Sequence, residues 1–217
     1  MTSTNKAVIF DMDGLIIDSE PLWRKSEMEV FKSIGYHFTE DMCIQTMGMR
    51  IDEVVQYWHN IFEWREPSID EVVDKIQKKL IENVKLHGKA LDGVDYSIKM
   101  LKDNGYQIAL ASSSSLKIID VVLNKLSLHN SFDVVHSAQD EEFGKPHPAV
   151  FLTTANRLNI VPENCIVLED SKAGMLAGLN ANMKVIVIPE KLTKPDWISS
   201  AHTTLNSLND LNLNHLS

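Results

Sequence analysis

The sequence predicts an α/β protein: a Rossmann-like, doubly wound parallel sheet with an all-helical cap domain inserted into it. Three observations predict this. Short apolar runs recur along the chain with little alternation, which is how strands covered on both faces read. Helical patterns separate the last four of these runs, as βαβ units require. A stretch of helical character, from about residue 17 to about residue 88, lies between the first run and the second.

The runs are AVIF (Ala7–Phe10), QIALA (Gln107–Ala111), FDVV (Phe132–Val135), CIVL (Cys165–Leu168) and KVIVI (Lys184–Ile188). Leu116, Ile119, Val122, Leu123 and Leu126 share one helical face between the second and third runs. Phe151, Ala155 and Leu158 do the same before the fourth. In the intervening stretch, Trp23, Val30, Phe31 and Ile34 mark a first helix, with Gly35 as its C-terminal stop. Ile51, Val54, Val55, Trp58, Ile61 and Phe62 mark another. Ile69, Val72, Val73, Ile76, Leu80 and Val84 mark a third, opened by Ser68 with Glu71 three residues on, a capping box. Amphipathic helices of this kind bury their stripes against one another as a small bundle. The predicted division is a catalytic core of residues 1–16 plus 89–217 and a cap of residues 17–88. The two connections, near Asp18 and near Gly88–Gly93, permit a hinge over a site.

Composition narrows the function. A chain of 217 residues buries roughly 70% of its unfolded surface and needs no disulfide or structural metal to fold. Apolar residues at 44% and charged residues at 24% are those of a globular chain, not a disordered one. The net charge of −9, with no basic block, excludes nucleic acid and an anionic membrane surface as expected partners. Any phosphate must be held locally, against the field of the whole molecule. Two cysteines, Cys43 and Cys165, make no disulfide framework and point to a reducing compartment. The N-terminal stretch carries no apolar leader signature, and no run approaches the roughly 18 apolar residues of a membrane span. A soluble, cytoplasmic monomer is expected.

Four polar clusters each follow a predicted strand. Asp11-Met12-Asp13-Gly14 follows the first, Ser112–Ser115 the second, Gly144-Lys145-Pro146-His147-Pro148 the third, and Glu169-Asp170-Ser171 the fourth. An isolated Asp-x-Asp reads as a solvated turn or a helix cap. A calcium loop is excluded, because the third acidic ligand and the distant Glu are missing and a strand precedes the loop. If the strands are parallel, all four clusters meet at one sheet edge, where open α/β sheets bind ligands. Carboxylates crowded there require a cation, and hard oxygen donors select Mg²⁺. A hydroxyl, backbone N–H groups and a lysine suit a phosphate dianion. Metal, phosphate clamp and a free aspartate together suggest phosphoryl transfer through an acyl-phosphate.

Taken together, Phe10–Leu15 with Asp18-Ser19-Glu20, Leu110-Ala111-Ser112, Lys145-Pro146 and Leu168–Ser171 resemble the four motifs of the haloacid dehalogenase superfamily, in order and spacing. Ser19–Trp23 and Met47–Asp52 are similar to segments of its sugar- and hexitol-phosphate phosphatases. The resemblance implies that Asp11 is the nucleophile and Asp13 the general acid/base. It implies that Ser112, the Ser113 N–H and Lys145 hold the phosphate. Asp11, the Asp13 carbonyl and Asp170 would bind Mg²⁺, with Glu169 adjacent. The substrate implied is a small phosphorylated metabolite, a hexose or hexitol phosphate such as 2-deoxyglucose 6-phosphate. The alternative on the same core is a β-phosphoglucomutase-like isomerase. Such isomerases carry a histidine near the start of the cap; here Trp23 occupies that place, and no histidine occurs between Asp11 and Tyr36.

Several residues keep two readings. Ser112–Ser115 could instead cap the next helix, and Lys145 could be a surface lysine. Glu169 either joins the metal or holds a neighbouring lysine or backbone group. Trp58 and Trp64 read as cap core. Trp23 reads either way, as cap core or as a substrate contact, and Arg50 as an exposed arginine or a substrate contact. His147, between two prolines, reads as a turn or helix-start residue.

Overall fold

The computed structural model describes residues 6–189 and 196–216; the first five residues of the N-terminal stretch read above lie outside them. Among the described residues, six parallel strands form one sheet: β1 (Ala7–Phe10), β2 (Gln107–Ser112), β3 (Val134–Ser137), β4 (Cys165–Glu169), β5 (Lys184–Val187) and β6 (Thr203–Thr204), in the order β3-β2-β1-β4-β5-β6. The order reverses between β1 and β4, and the crevice outside their carboxyl ends is the switch point of the fold.

Alternate residues of each strand serve opposite faces. Val8, Phe10, Ile108, Leu110, Ile166 and Leu168 pack with residues of α5 (Val94–Asp103) and α6 (Leu116–Leu126). Ala7, Ile9, Ala109, Ala111, Val167 and Val185 pack with α7 (Ala149–Leu158) and α8 (Lys172–Asn180). Both faces are covered, which explains the unbroken apolar runs.

Between β1 and α5 lie α1 (Glu20–Ser33), α2 (Glu40–Gln45), α3 (Ile51–Phe62) and α4 (Ile69–His87). They enclose their own core of Val30, Phe31, Phe38, Val54, Val55, Trp58, Trp64, Val72 and Ile76. Phe31 and Phe38 stack with centroids 4.2 Å apart. The capping box opening α4 is present: Glu71 N donates to Ser68 Oγ, and Ser68 N to Glu71 Oε2. The far end of α4 leaves this core and packs on the sheet layer through Leu80, Ile81 and Val84. The two chain crossings run side by side. Asp18 N donates to the Lys89 carbonyl at 3.0 Å and Leu91 N to the Ile16 carbonyl at 3.0 Å.

Some expected elements differ. β3 begins at Val134 and ends at Ser137, two residues later than FDVV. Phe132 instead sets its ring edge-on against Phe10 at 5.9 Å. The polar end of the strand is buried and partly paired: His136 Nε2 meets Glu141 Oε1 at 2.6 Å and Ser137 Oγ donates to the Ser114 carbonyl, while His136 Nδ1 is buried without a partner. In α6, Leu116 is exposed and Ile118 is buried in its stead. The insert is not helical throughout, since turns and extended backbone separate its helices.

Candidate active site

β1 and β4 run in register, with Phe10 opposite Leu168, and Asp11 N extends the ladder to the Leu168 carbonyl at 3.0 Å. Asp11 therefore emerges beside Glu169. Gly14, at φ +74°, turns the chain back; it faces Asp170 Oδ2 so closely that a side chain there would collide with the carboxylate. The Ser112–Ser115 loop leaves β2 on the other flank of β1.

Lys145 lies fully buried among these ends. Its Nζ sits 2.5 Å from Asp11 Oδ1, 2.7 Å from Glu169 Oε1 and 3.2 Å from the Ala111 carbonyl. It also stands 4.8 Å above the Phe151 ring. Lys145 is no surface lysine. Burial alone would lower its ammonium, but Asp11 and Glu169 outweigh it and hold Lys145 above its ordinary value. Glu169 is committed to holding its neighbours: Oε2 accepts from Asp170 N, Ser171 N and Ser171 Oγ, each at 3.0 Å.

Burial pushes the Asp11 carboxyl up to about 8 against the pull of Lys145, with Glu169 and Asp13 adding to the rise. Burial, then the charges of Glu169, Glu20 and Asp11, push Asp170 well above the usual carboxylate range. Asp170 Oδ2 is buried without a hydrogen-bond partner. One oxygen each of Asp11, Glu169 and Asp170 lies within 4.8 Å of the others. An orphaned carboxylate oxygen in a crowded set of hard donors fits a divalent cation, whose charge would return Asp11 and Asp170 toward the ionised form.

Asp13 faces the insert. Oδ1 accepts from Ser19 Oγ at 2.6 Å and from Trp23 Nε1 at 3.0 Å. Oδ2 accepts from Ser114 Oγ at 2.7 Å and lies 3.5 Å from Ser112 Oγ. Ser112 Oγ in turn accepts from Ser114 N at 3.0 Å. Sequence reasoning gives Ser19 no role of its own and reads Ser114, within the Ser112–Ser115 run, as a cap of the next helix. Ser115 does stand at the N-cap of α6, though its side chain makes no cap bond.

The insert closes over this edge. Gly48 approaches Ser171, with no room for a side chain between them, and its carbonyl accepts from Ser113 Oγ at 2.7 Å. Glu53 Oε1 accepts from Gly144 N at 2.9 Å. Arg50 is turned to the core rather than to the central cavity. Its guanidinium donates to the carbonyls of Ala138 and Glu141 at 3.0 and 2.7 Å, and to Asp52. Trp58 and Trp64 are buried in the insert core, and His147 is exposed at the start of α7, where Nδ1 accepts from Ala149 N. Directly over Asp11 and Asp13, insert and sheet enclose a cavity of about 50 Å³. Asp11, Asp13, Ser112, Ser113 and Asp170 line its floor, and Trp23, Glu27, Met47, Ile51 and Val54 its roof.

A parallel sheet with a buried lysine bridging two carboxylates at its switch point, under a helical insert after the first strand, defines the class: haloacid dehalogenase-like hydrolase. Residues 8–188 match that family, and the chain belongs to it. Among its relatives, hexitol phosphatase B of Escherichia coli (strain K12) is 39% identical over 208 residues, covering 94% of this chain and 93% of the relative. A phosphorylated carbohydrates phosphatase of Thermotoga maritima is 33% identical over 183 residues, covering 83% of each chain. In fold it resembles a β-phosphoglucomutase of Clostridium difficile, with a TM-score of 0.85 and 24% identity over 97% of this chain and 95% of that one. Among the described residues no helix is long and apolar enough to cross a membrane.

Proposed function

We propose that this chain is a Mg²⁺-dependent phosphatase of small sugar or hexitol phosphates that works through an aspartyl-phosphate. The observation that carries the reading is the Asp11–Lys145 contact, a carboxylate held beside an ammonium at the floor of a cavity rimmed by serine hydroxyls. The names of the two phosphatase relatives support the substrate class.

Asp11 attacks phosphorus, and the bond to the sugar oxygen breaks as the aspartyl-phosphate forms. Lys145 offsets the repulsion between Asp11 and the phosphate oxygens. Ser112 and the Ser113 N–H hold the other oxygens, so that developing charge meets fixed donors. Asp13 gives its proton to the leaving alkoxide and then takes one from the water that cleaves the acyl-phosphate. Ser19, Ser114 and Trp23 orient it. Asp11, the Asp13 carbonyl and Asp170 would hold Mg²⁺, with Glu169 adjacent. Bound there, the ion supplies charge neutralisation for the phosphoryl group. We also propose that residues 17–88 act as a cap domain on a core of 1–16 plus 89–217. Both cysteines are unpaired and buried, which suits the reducing cytoplasm.

The test is phosphate release from a panel of phosphorylated metabolites, with product analysis on β-glucose 1-phosphate. Free phosphate from hexose or hexitol esters is the expected result. Conversion of β-glucose 1-phosphate to glucose 6-phosphate without phosphate release would assign the isomerase instead.

A further inference from the structure

Glu27 stands one helical turn beyond Trp23 on α1, about 6 Å farther along the axis and on the same face. It lines the same cavity as Asp11 and Asp13. Its side chain is more than nine-tenths buried, at 7% exposure. The Cys43 thiol and the Arg24 charge face the carboxyl. Oε2 has no hydrogen-bond partner. Around it the roof is apolar, with Met47, Met49, Ile51 and Val54. A buried carboxyl with an unsatisfied oxygen is destabilising unless something outside the chain completes it.

We propose that Glu27 is a specificity-determining residue that accepts a hydrogen bond at Oε2 from a hydroxyl on the substrate's carbon chain, away from its phosphate. The inference rests on the phosphatase reading and deepens it. Arg24 also lines this end of the cavity, paired with Glu20 at 3.7 Å. The position selects a hydroxylated tail over an apolar one. A site built to hydrogen-bond a substrate hydroxyl discriminates strongly against the analogue without it.

The experiment compares two phosphate esters of equal carbon number, a hexitol phosphate and n-hexyl phosphate, by the ratio of their kcat/KM values. In Glu27→Leu the ratio should fall about tenfold or more, mainly through a raised KM for the hexitol ester. Glu27→Gln, which keeps an acceptor oxygen, should hold the ratio within about threefold of wild type. Should Glu27→Leu not be recovered folded, Glu27→Met serves the same comparison. An unchanged ratio in the apolar variant, or an equal fall in Glu27→Gln, overturns the assignment. Wild-type protein that releases phosphate from neither ester overturns the phosphatase reading itself, a result distinct from equal ratios in an active enzyme.

Discussion

The indole of Trp23 donates from Nε1 to Asp13 Oδ1 across 3.0 Å, so the first turn of the insert fixes the carboxylate proposed as acid/base. Trp23→Phe keeps the ring and removes the donor. We expect kcat to fall about tenfold, the worth of one hydrogen bond to a charged group, with KM for the sugar phosphate moving less. Steady-state phosphate release checks this, and an unchanged kcat would separate Trp23 from the chemistry.

Asp11→Asn preserves the shape of the nucleophile and removes its charge. Lys145 keeps Glu169 as partner, so the fold should persist by circular dichroism while turnover drops by about a thousandfold or more. Substantial residual turnover would count against the covalent route.

Lys145→Met strips the cation from two buried carboxyls. Breaking a buried pair leaves uncompensated charge and costs about 3–5 kcal/mol. For a chain of this size that lowers Tm by roughly 10 °C. Calorimetry without added metal is the measurement, and a Tm within a degree or two of wild type would show that the ammonium does not hold the cluster together.

Chelation should silence the enzyme and Mg²⁺ restore it. Binding also raises stability, by about 2.7 kcal/mol at one hundred times Kd. The same titration on Asp170→Asn, which alters the orphaned oxygen set, should show little Mg²⁺-dependent rise in Tm. An equal rise in the variant would place the ion elsewhere.

Burial pushes the Glu27 carboxyl from its ordinary 4.5 up to about 8, against the Cys43 thiol and the Arg24 charge that face it. The folded chain thus keeps a proton that the unfolded chain releases near 4.5. Its contribution to stability is full below that pH and is lost as pH rises through about 8, on the order of a few kcal/mol in all. Wild-type Tm should therefore fall relative to Glu27→Gln between about pH 5 and pH 8.5. Parallel Tm curves would show that the carboxyl is not held protonated.

Most of this site is legible in the sequence, because parallel strands bring their C-terminal loops to one edge whatever lies between them. Asp11, Lys145, Glu169 and Asp170 each stand at a strand end and come together for that reason. What stays hidden depends on partners distant in the chain. His136 and Ser137 look like loop until Glu141 and the Ser114 carbonyl pair with them. Ser114 looks like a cap until Asp13 arrives from the neighbouring strand. Glu27 belongs to none of the motifs read from the sequence. Its spacing from Glu20, Trp23 and Val30 places it on the buried stripe of α1, a signal that periodicity did carry.

The cavity of about 50 Å³ has room for about four waters, far below the several hundred cubic ångströms that small-molecule sites occupy. Arg50, Glu53 and Gly48 hold the insert against the opposite loops over it, so a bound hexose ester would need more room than this docked arrangement leaves above Asp11. Should those contacts have to open and re-form in each turnover, solvent friction becomes a brake on the proposed reaction. A viscous medium should slow this catalyst where it would leave a permanently open one untouched.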